Sequence, residues 1–173
     1  MKHKTMLMGS TLAIASALFA SATMAGALSD KDKHFVEKAA IGGMAEVEQG
    51  QLASQKASNA DVRKFGDTMI GDHSKANDKL KALAQSKGWN LPNTLDAETK
   101  NKVELLRRKD GTEFDEAYVD AMRKDHDEDV ALFEDEAAKA DDPALRQFAQ
   151  ETLPTLKHHK QMAYDLKPAP AKR

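Results

Sequence analysis

Apolar residues recur at three- and four-residue spacing along four long segments of the chain, and this pattern predicts four amphipathic helices. The predicted spans are about 29–57, 60–87, 113–139 and 143–166. Turn-forming residues separate them: the second helix is expected to end at Gly88, and Pro143 occupies a first-turn position of the fourth, where proline is tolerated. A shorter helix is expected near 97–109.

Helices of about 27 residues are each about 40 Å long. Four helices of that length bury a shared core only by packing side by side, so the pattern predicts an all-α four-helix bundle with a short extra helix. The segments SNADVRKF and ADDPALRQF align at a shift of 83 residues, which pairs Val62 with Leu145 and Phe65 with Phe148. This internal repeat predicts that the bundle consists of two similar helix hairpins, with the short helix between them.

The amino-terminal segment has the three parts of a secretory signal peptide. Lys2 and Lys4 precede an apolar run over about 6–19, and the sequence AGA at 25–27 supplies a cleavage site. An uncleaved anchor is the alternative, because no charge occurs between Lys4 and Asp30. Ser, Thr and Gly dilute the apolar run, so we expect a cleaved leader and an exported, periplasmic protein.

The signal peptide divides the chain into three parts. We expect the leader at 1–27, the bundle domain at 28–167 and a disordered, proline-containing tail at 168–173. Once the leader is removed, no stable membrane span is expected in the mature chain.

Composition narrows the function classes further. Hydrophobic residues make up 40% of the 173 residues but aromatic residues only 5%, which favours helices over a β-sandwich. The chain has no cysteine, which excludes disulfides, a lipid-modified cysteine and a thiolate metal site. The net charge of −2 falls to about −4 without the leader, so there is no electrostatic basis for binding nucleic acid. A protein partner and a homo-oligomer are both left open.

Each of the four apolar stripes is interrupted near its middle by one polar residue. These residues are Glu46, His73, His126 and His159. Burial of an unpaired carboxylate costs several kcal/mol, so Glu46 at a core position requires compensation.

Two kinds of compensation fit these four residues. Three neutral histidine nitrogens and one carboxylate oxygen can bind a divalent metal ion such as Zn, Fe, Cu or Mn, as facing helices do in metal-binding bundles. Alternatively, Glu46 hydrogen-bonds to one or two of the histidines in a closed polar network that contains no metal. The sequence leaves both open.

A repeated Met-x-x-Asp-His motif occurs at 69–73 and 122–126. Adjacent residues on a helix do not face each other, so Asp72 and Asp125 cannot easily orient the histidines that follow them. Each aspartate can instead reach a histidine on an adjacent helix and fix its tautomer. The alternative is that both aspartates lie on solvated flanks of their helices.

The sequence resembles an exported bacterial family catalogued as domain of unknown function 4142. The resemblance extends over about 35–166 and is carried by GGMAEVEQGQLASQKASNADVRKFGDTMIGDHSKANDKLKALA, FDEAYVDAM, a second DH and TLPTLKHHKQMA. It implies a ferritin-like four-helix fold and no single established activity. The family's recurring motif residues fall on Glu46, Asp72, His73, His126 and His159.

The candidate site differs from the di-iron centres of ferritins proper. Ferritin-like di-iron centres use several Glu residues and a Glu-x-x-His pair on each of two helices. In this chain the positions three before the histidines are Ile70, Arg123 and Leu156. The sequence therefore argues against a di-iron oxidase or an iron-storage shell, and it remains compatible with a mononuclear histidine-rich site.

The leading functional hypothesis is periplasmic metal binding during metal or oxidative stress. The alternative is a non-catalytic envelope protein whose buried Glu-His network specifies helix register and whose outer faces bind a partner. An enzyme with an open metal position that activates water or peroxide ranks third, and no catalytic residue is predicted.

Overall fold

The computed structural model describes residues 27–167, which form five helices. They are α1 (Asp30–Lys56), α2 (Ala60–Lys87), α3 (Ala97–Arg107), α4 (Gly111–Lys139) and α5 (Pro143–Asp165). The predicted leader, apart from Ala27, and the predicted disordered tail lie outside the described residues. Among the helices of 27–167, none has the combination of length and apolarity that a membrane span requires.

The helix ends follow from local residue chemistry. Asn59 caps α2 by accepting a hydrogen bond from the backbone N–H of Asp61, and Gly88 ends that helix with φ of 70°. Asp142 caps α5, and Pro143 begins that helix. The short helix stops two residues earlier than predicted and α4 begins two residues earlier, because Gly111 makes the turn between them with φ of 59°.

The long helices form the predicted four-helix bundle of two hairpins. α1 packs along α2 and α4 along α5, while the two hairpins meet through α1 with α4 and α2 with α5. α3 lies against α1 and α4.

Reciprocal contacts confirm that the two hairpins are similar. The carboxylate of Asp32, at the start of α1, accepts backbone N–H bonds from Asp141 at 3.1 Å and Asp142 at 2.8 Å in the α4–α5 turn. Asp115, which is 83 residues later, accepts N–H bonds from Ser58 at 3.0 Å and Asn59 at 2.9 Å in the α1–α2 turn. Each hairpin therefore fixes the turn of the other, as an approximate two-fold relation requires.

The hydrophobic core consists of two clusters separated by a polar layer. One cluster contains Phe65, Met69, Phe114, Tyr118 and Met122 among others. The other contains Phe35, Leu80, Phe133, Phe148 and Leu156 among others. On each long helix, the polar residue singled out in the sequence falls close to the point where one cluster gives way to the other.

Two facing glycines bring α1 and α2 close together beside this layer. A Cβ atom added to Gly50 would lie 2.8 Å from the carbonyl oxygen of Gly66, and one added to Gly66 would lie 2.9 Å from the carbonyl oxygen of Gly50. Such contacts are too short for any side chain. The glycines therefore set the distance between α1, which carries Glu46, and α2, which carries His73.

Candidate metal centre

Three buried histidines meet inside the bundle, each from a different helix. His73, His126 and His159 have exposed fractions of 5%, 0% and 0%, and their ring centroids are 5.2 to 5.6 Å apart. One nitrogen of each ring lies within 4.8 Å of one nitrogen of each of the other rings. The structure thus brings together the three histidines that the sequence singled out.

This spacing is close to what a shared metal ion needs. Three atoms no more than 4.8 Å apart have a common point within about 2.8 Å of each of them, whereas zinc–nitrogen bonds are about 2.0–2.1 Å long. Ligation of one ion therefore requires each nitrogen to move toward the common point by less than about 1 Å.

Helix periodicity explains why the Met-x-x-Asp-His motif occurs twice. Met69 and Met122 precede the histidines of α2 and α4 by one helical turn, and both are fully buried in the same hydrophobic cluster. The histidine one turn later on each helix therefore faces the bundle interior as well. Both methionines are core residues of the layer next to the histidines.

In each ring, one nitrogen contacts an oxygen that fixes its orientation. The Nδ1 of His126 lies 2.9 Å from the carbonyl oxygen of Met122. The Nε2 of His159 lies 3.1 Å from Oδ2 of Asp72, and the Nδ1 of His73 lies 2.8 Å from Oε2 of Glu46. A carbonyl and an ionised carboxylate only accept hydrogen bonds, so each of these nitrogens carries the proton when Glu46 is ionised.

The second nitrogen of each ring has no hydrogen-bond partner among the described residues. These buried atoms are Nε2 of His73, Nε2 of His126 and Nδ1 of His159. Burial lowers the pKa of His73 and of His159 to about 4 and also lowers the pKa of His126. The rings are therefore neutral near pH 7, and each presents a lone pair that suits a metal ion.

Glu46 lies beside the histidines and contacts two of them. Its exposed fraction is 3%, its Oε2 contacts His73, and its Oε1 lies 3.5 Å from Nε2 of His126 without a hydrogen bond. Burial raises the pKa of Glu46 to about 7. The carboxylate is placed both to orient His73 and to offer Oε1 to a cation, so its role as a ligand stays a prediction.

The two aspartates of the repeated motif have different surroundings. Asp72 reaches across to His159 on α5 and also accepts a hydrogen bond from Lys75. Burial acts to raise the pKa of Asp72, but the hydrogen bonds from His159 and Lys75 outweigh it and hold the pKa below its usual value. Asp72 therefore has the cross-helix contact that the sequence suggested.

Asp125 has no such contact. Within 27–167, no hydrogen bond or ion pair joins it to a histidine, and its side chain meets Gln49 of α1 instead. His126 faces the bundle interior, and consecutive side chains on a helix are about 100° apart, so Asp125 points toward the side where α1 and α3 lie. Burial raises its pKa.

Asp129 is a residue of this region that sequence reasoning missed. Burial, together with the charge of the neighbouring Glu46, raises the pKa of Asp129 well above its usual value. Two signals point to it. Asp129 lies three residues after His126 on the same helix face, and it is the residue that corresponds to Glu46 under the 83-residue shift.

A family model described as "Domain of unknown function (DUF4142)" matches residues 17–166. The chain belongs to the DUF4142 family. This match confirms the resemblance found in the sequence. No curated protein matches the chain.

Among solved structures, the chain is similar to a crystal structure of a DUF305 fragment from Deinococcus radiodurans. The two are 11% identical with a TM-score of 0.68, and the match covers 80% of this chain and 96% of that chain. At this identity the likeness shows the fold alone, and it supports the helical bundle described above.

Proposed function

We propose that this DUF4142 chain binds one divalent transition-metal ion through His73, His126 and His159. The observation that carries the proposal is the meeting of three buried histidines from three helices, with one nitrogen of each ring within 4.8 Å of the others. In addition, each ring has one buried nitrogen without a hydrogen-bond partner among residues 27–167. Imidazole nitrogens suit Zn, Fe and Cu, and the added carboxylate of Glu46 also permits Mn.

The arrangement of oxygen atoms around the rings supports this proposal. In each ring, one nitrogen contacts an oxygen acceptor and the other nitrogen has no partner among the described residues. The acceptors are the carbonyl of Met122 and the carboxylates of Asp72 and Glu46. Hydrogen bonds of this kind orient the histidine ligands of known metal sites. Glu46 also contributes a negative charge, which offsets part of the charge of a divalent cation in a buried site.

Energetics favour an occupant at this centre. Each buried polar atom that lacks a hydrogen bond costs about 1–3 kcal/mol, and the centre holds three such nitrogens and one carboxylate oxygen. A metal ion that accepts their lone pairs removes this cost. Metal binding should therefore stabilise the fold.

The test is a metal titration of the untagged protein. We expect about one equivalent of bound metal by elemental analysis, and a rise in Tm when Zn, Fe, Cu or Mn is added. His126→Ala and His159→Ala should lose both responses while circular dichroism shows that their helices remain. His158→Ala is the matched control, because this exposed histidine is adjacent to His159.

Absence of bound metal, with no shift of Tm for any of the four ions, would overturn the proposal. The buried polar network would then be the better account of the centre. That second candidate is favoured by the contacts that already exist between ring nitrogens and carboxylates, at 2.8 Å for His73 with Glu46 and 3.1 Å for His159 with Asp72. A network protein should keep its fold and partner contacts without any metal.

The cellular part of the proposal rests on the sequence at 1–27. We propose that the protein is exported to the periplasm and takes part there in the response to excess metal or to oxidants. Cell fractionation tests the location. Growth of a deletion strain under added metal or peroxide, compared with a strain that carries His126→Ala, tests the role. Growth equal to that of the parent strain under all these conditions would contradict the stress role.

A further inference from the structure

A cavity of about 300 Å³ lies between α1 and α4, next to the start of α3. Five acidic residues line it, together with two lysines and His34. The acidic residues are Glu46, Asp96, Asp125, Glu128 and Asp129. Carboxyl groups outnumber the cationic side chains, so the cavity offers mainly oxygen ligands of the kind that a divalent cation takes.

Glu46 connects this cavity to the buried histidines. Glu46 is one of the residues that line the cavity, and its carboxyl group contacts His73 at 2.8 Å and lies 3.5 Å from His126. A smaller space of about 20 Å³ has Glu46, His73 and Asp129 among its lining residues. Because the histidines are at most 5% exposed, an ion needs a route through the protein, and Glu46 lies at the boundary between the open cavity and the rings.

Gln49 gives independent support for a cation. Its side chain lines the cavity one helical turn after Glu46 and is 4% exposed. Its Oε1 has no hydrogen-bond partner among the described residues, and the same is true of Oε1 of Glu46. The amide oxygen of Gln49 can only accept a hydrogen bond or bind a cation, and the same holds for Oε1 of Glu46 when that group is ionised. Carbonyl and carboxylate oxygens are the ligands that a partly hydrated divalent cation takes.

We propose that this cavity is the access route for the metal ion. A hydrated divalent cation is held first by the oxygens of Gln49, Asp125 and Glu128, and it then passes Glu46 to reach the three histidine nitrogens. The inference rests on the proposed metal-binding function. It adds the path, and it separates residues that govern the rate of loading from those that hold the ion.

The test is stopped-flow mixing of the full-length protein with Co²⁺, whose visible absorption reports ligation by nitrogen. We expect the double variant Asp125→Asn with Glu128→Gln to load about tenfold more slowly than the wild type, because the field that concentrates the cation is weaker. The final stoichiometry should not change. The control is Glu116→Gln with Asp120→Asn, which removes the same two charges from exposed positions of α4 and should load at the wild-type rate.

A second variant blocks the route without changing charge. A Cβ atom at Gly42, which lines the cavity, would meet only Oδ1 of Asp129 at 3.8 Å, so the position accepts the start of a side chain, and we expect Gly42→Leu to occupy part of the cavity. We expect slow loading to the same final stoichiometry. Gly71→Leu is the matched control, since a Cβ there meets nothing within 4 Å.

The outcomes separate the two proposals. If the wild type binds Co²⁺ and both cavity variants load at its rate, the access route is wrong and the histidine site stands. If the wild type gives no nitrogen-ligated Co²⁺ signal and no bound Co²⁺, the metal function and the route both fail. Slow loading by the cavity variants alone, with unchanged stoichiometry, supports the route.

Discussion

The three histidines of the centre are held by three different acceptors, and this decides which nitrogen of each ring is free. His126 and His73 bond through Nδ1 and leave Nε2, whereas His159 bonds through Nε2 and leaves Nδ1. Asp72 is the only one of these acceptors that comes from a partly exposed side chain on a neighbouring helix. The orientation of His159 therefore depends on a residue that can be changed without opening the core.

Asp72→Asn should weaken metal binding while the fold is retained. The asparagine can present its amide N–H to Nε2 of His159, so the ring loses its charged acceptor and its preferred tautomer. We expect the affinity to fall by about 10- to 100-fold, as for other residues that orient a histidine ligand. Competition with a chromophoric chelator measures the change.

Asp78→Asn is the control for this prediction, because Asp78 is an exposed acid on the same helix. An affinity of Asp72→Asn equal to that of the wild type would show that the contact with His159 is incidental.

Metal uptake should release a proton from Glu46. Burial raises the pKa of Glu46 to about 7, so below that pH the carboxyl group of Glu46 is protonated in the metal-free protein. A bound cation and the N–H of His73 both favour the ionised carboxylate, so metal binding displaces this proton. Affinity should therefore fall as the pH drops below about 7. We expect about one proton more per chain to be released at pH 6 than at pH 8.5.

Calorimetry in buffers with different heats of protonation measures this release. The histidines should contribute little at pH 6, because His73 and His159 have pKa values of about 4. Glu46→Gln should abolish the difference between the two pH values. A difference that persists in this variant would assign the proton to another group.

At the scale of the helices, the two hairpins hold each other through buried aspartates. Asp115 is fully buried and accepts two backbone N–H bonds and a hydroxyl bond from Ser58, and Asp32 is 1% exposed and accepts two backbone N–H bonds. Both turns depend on a carboxylate from the other hairpin. Hairpin association and turn formation are therefore coupled.

Asp115→Asn and Asp32→Asn should destabilise the protein by similar amounts. Each change replaces one carboxylate oxygen by an amide N–H that faces a backbone N–H, so a buried donor loses its partner. We expect each to lower the free energy of unfolding by about 2 kcal/mol in urea titrations. Asp61→Asn, at an exposed position of α2, should change it by less than about 0.5 kcal/mol. Unequal effects of the two buried aspartates would argue against equivalent hairpins.

Helix spans could be predicted from the sequence because their causes are local. The apolar spacing, the cap at Asn59, the stop at Gly88 and the start at Pro143 all depend on residues near each other in the chain. The start of α4 lies two residues before the predicted one, because Gly111, at positive φ, is the first residue of that helix.

The inward-facing residues of the site could also be predicted, because the apolar stripe of a single helix shows which of its histidines faces the core. The surroundings of Asp125 and Asp129 could not. Their contacts depend on how α4 is rotated against α1 and on where α3 packs, which are properties of the assembled bundle. Glu46 and Asp129 are also 83 residues apart, as Phe65 and Phe148 are, but a shift in the sequence does not show that two such residues meet in the bundle.

At the scale of the whole molecule, a polar layer divides the hydrophobic core. Such a layer is costly for a bundle of this size, because the rest of the core is apolar and buried. We therefore expect the metal-free protein to be less stable than a bundle whose middle layer is apolar. A protein selected for stability alone would fill the layer with apolar side chains.

A variant with an apolar layer should be more stable than the metal-free wild type. We suggest Glu46→Met with His73→Leu, His126→Leu and His159→Leu, which replaces the four polar groups by side chains of similar volume. We expect a higher urea midpoint, by about 1–4 kcal/mol in the free energy of unfolding, and no response of Tm to metal. A variant less stable than the metal-free wild type, or one without cooperative unfolding, would show that the polar groups specify the packing of the bundle.

The correspondence between the hairpins does not extend to the histidines. Under the 83-residue shift, Glu46 corresponds to Asp129, but the positions that correspond to His73, His126 and His159 are Leu156, Gly43 and Ala76. Two copies of the first hairpin would therefore bring two histidines to this level of the bundle, and two copies of the second would bring four. The set of three rings requires one hairpin of each kind, so the centre is asymmetric although the two turns obey an approximate two-fold relation.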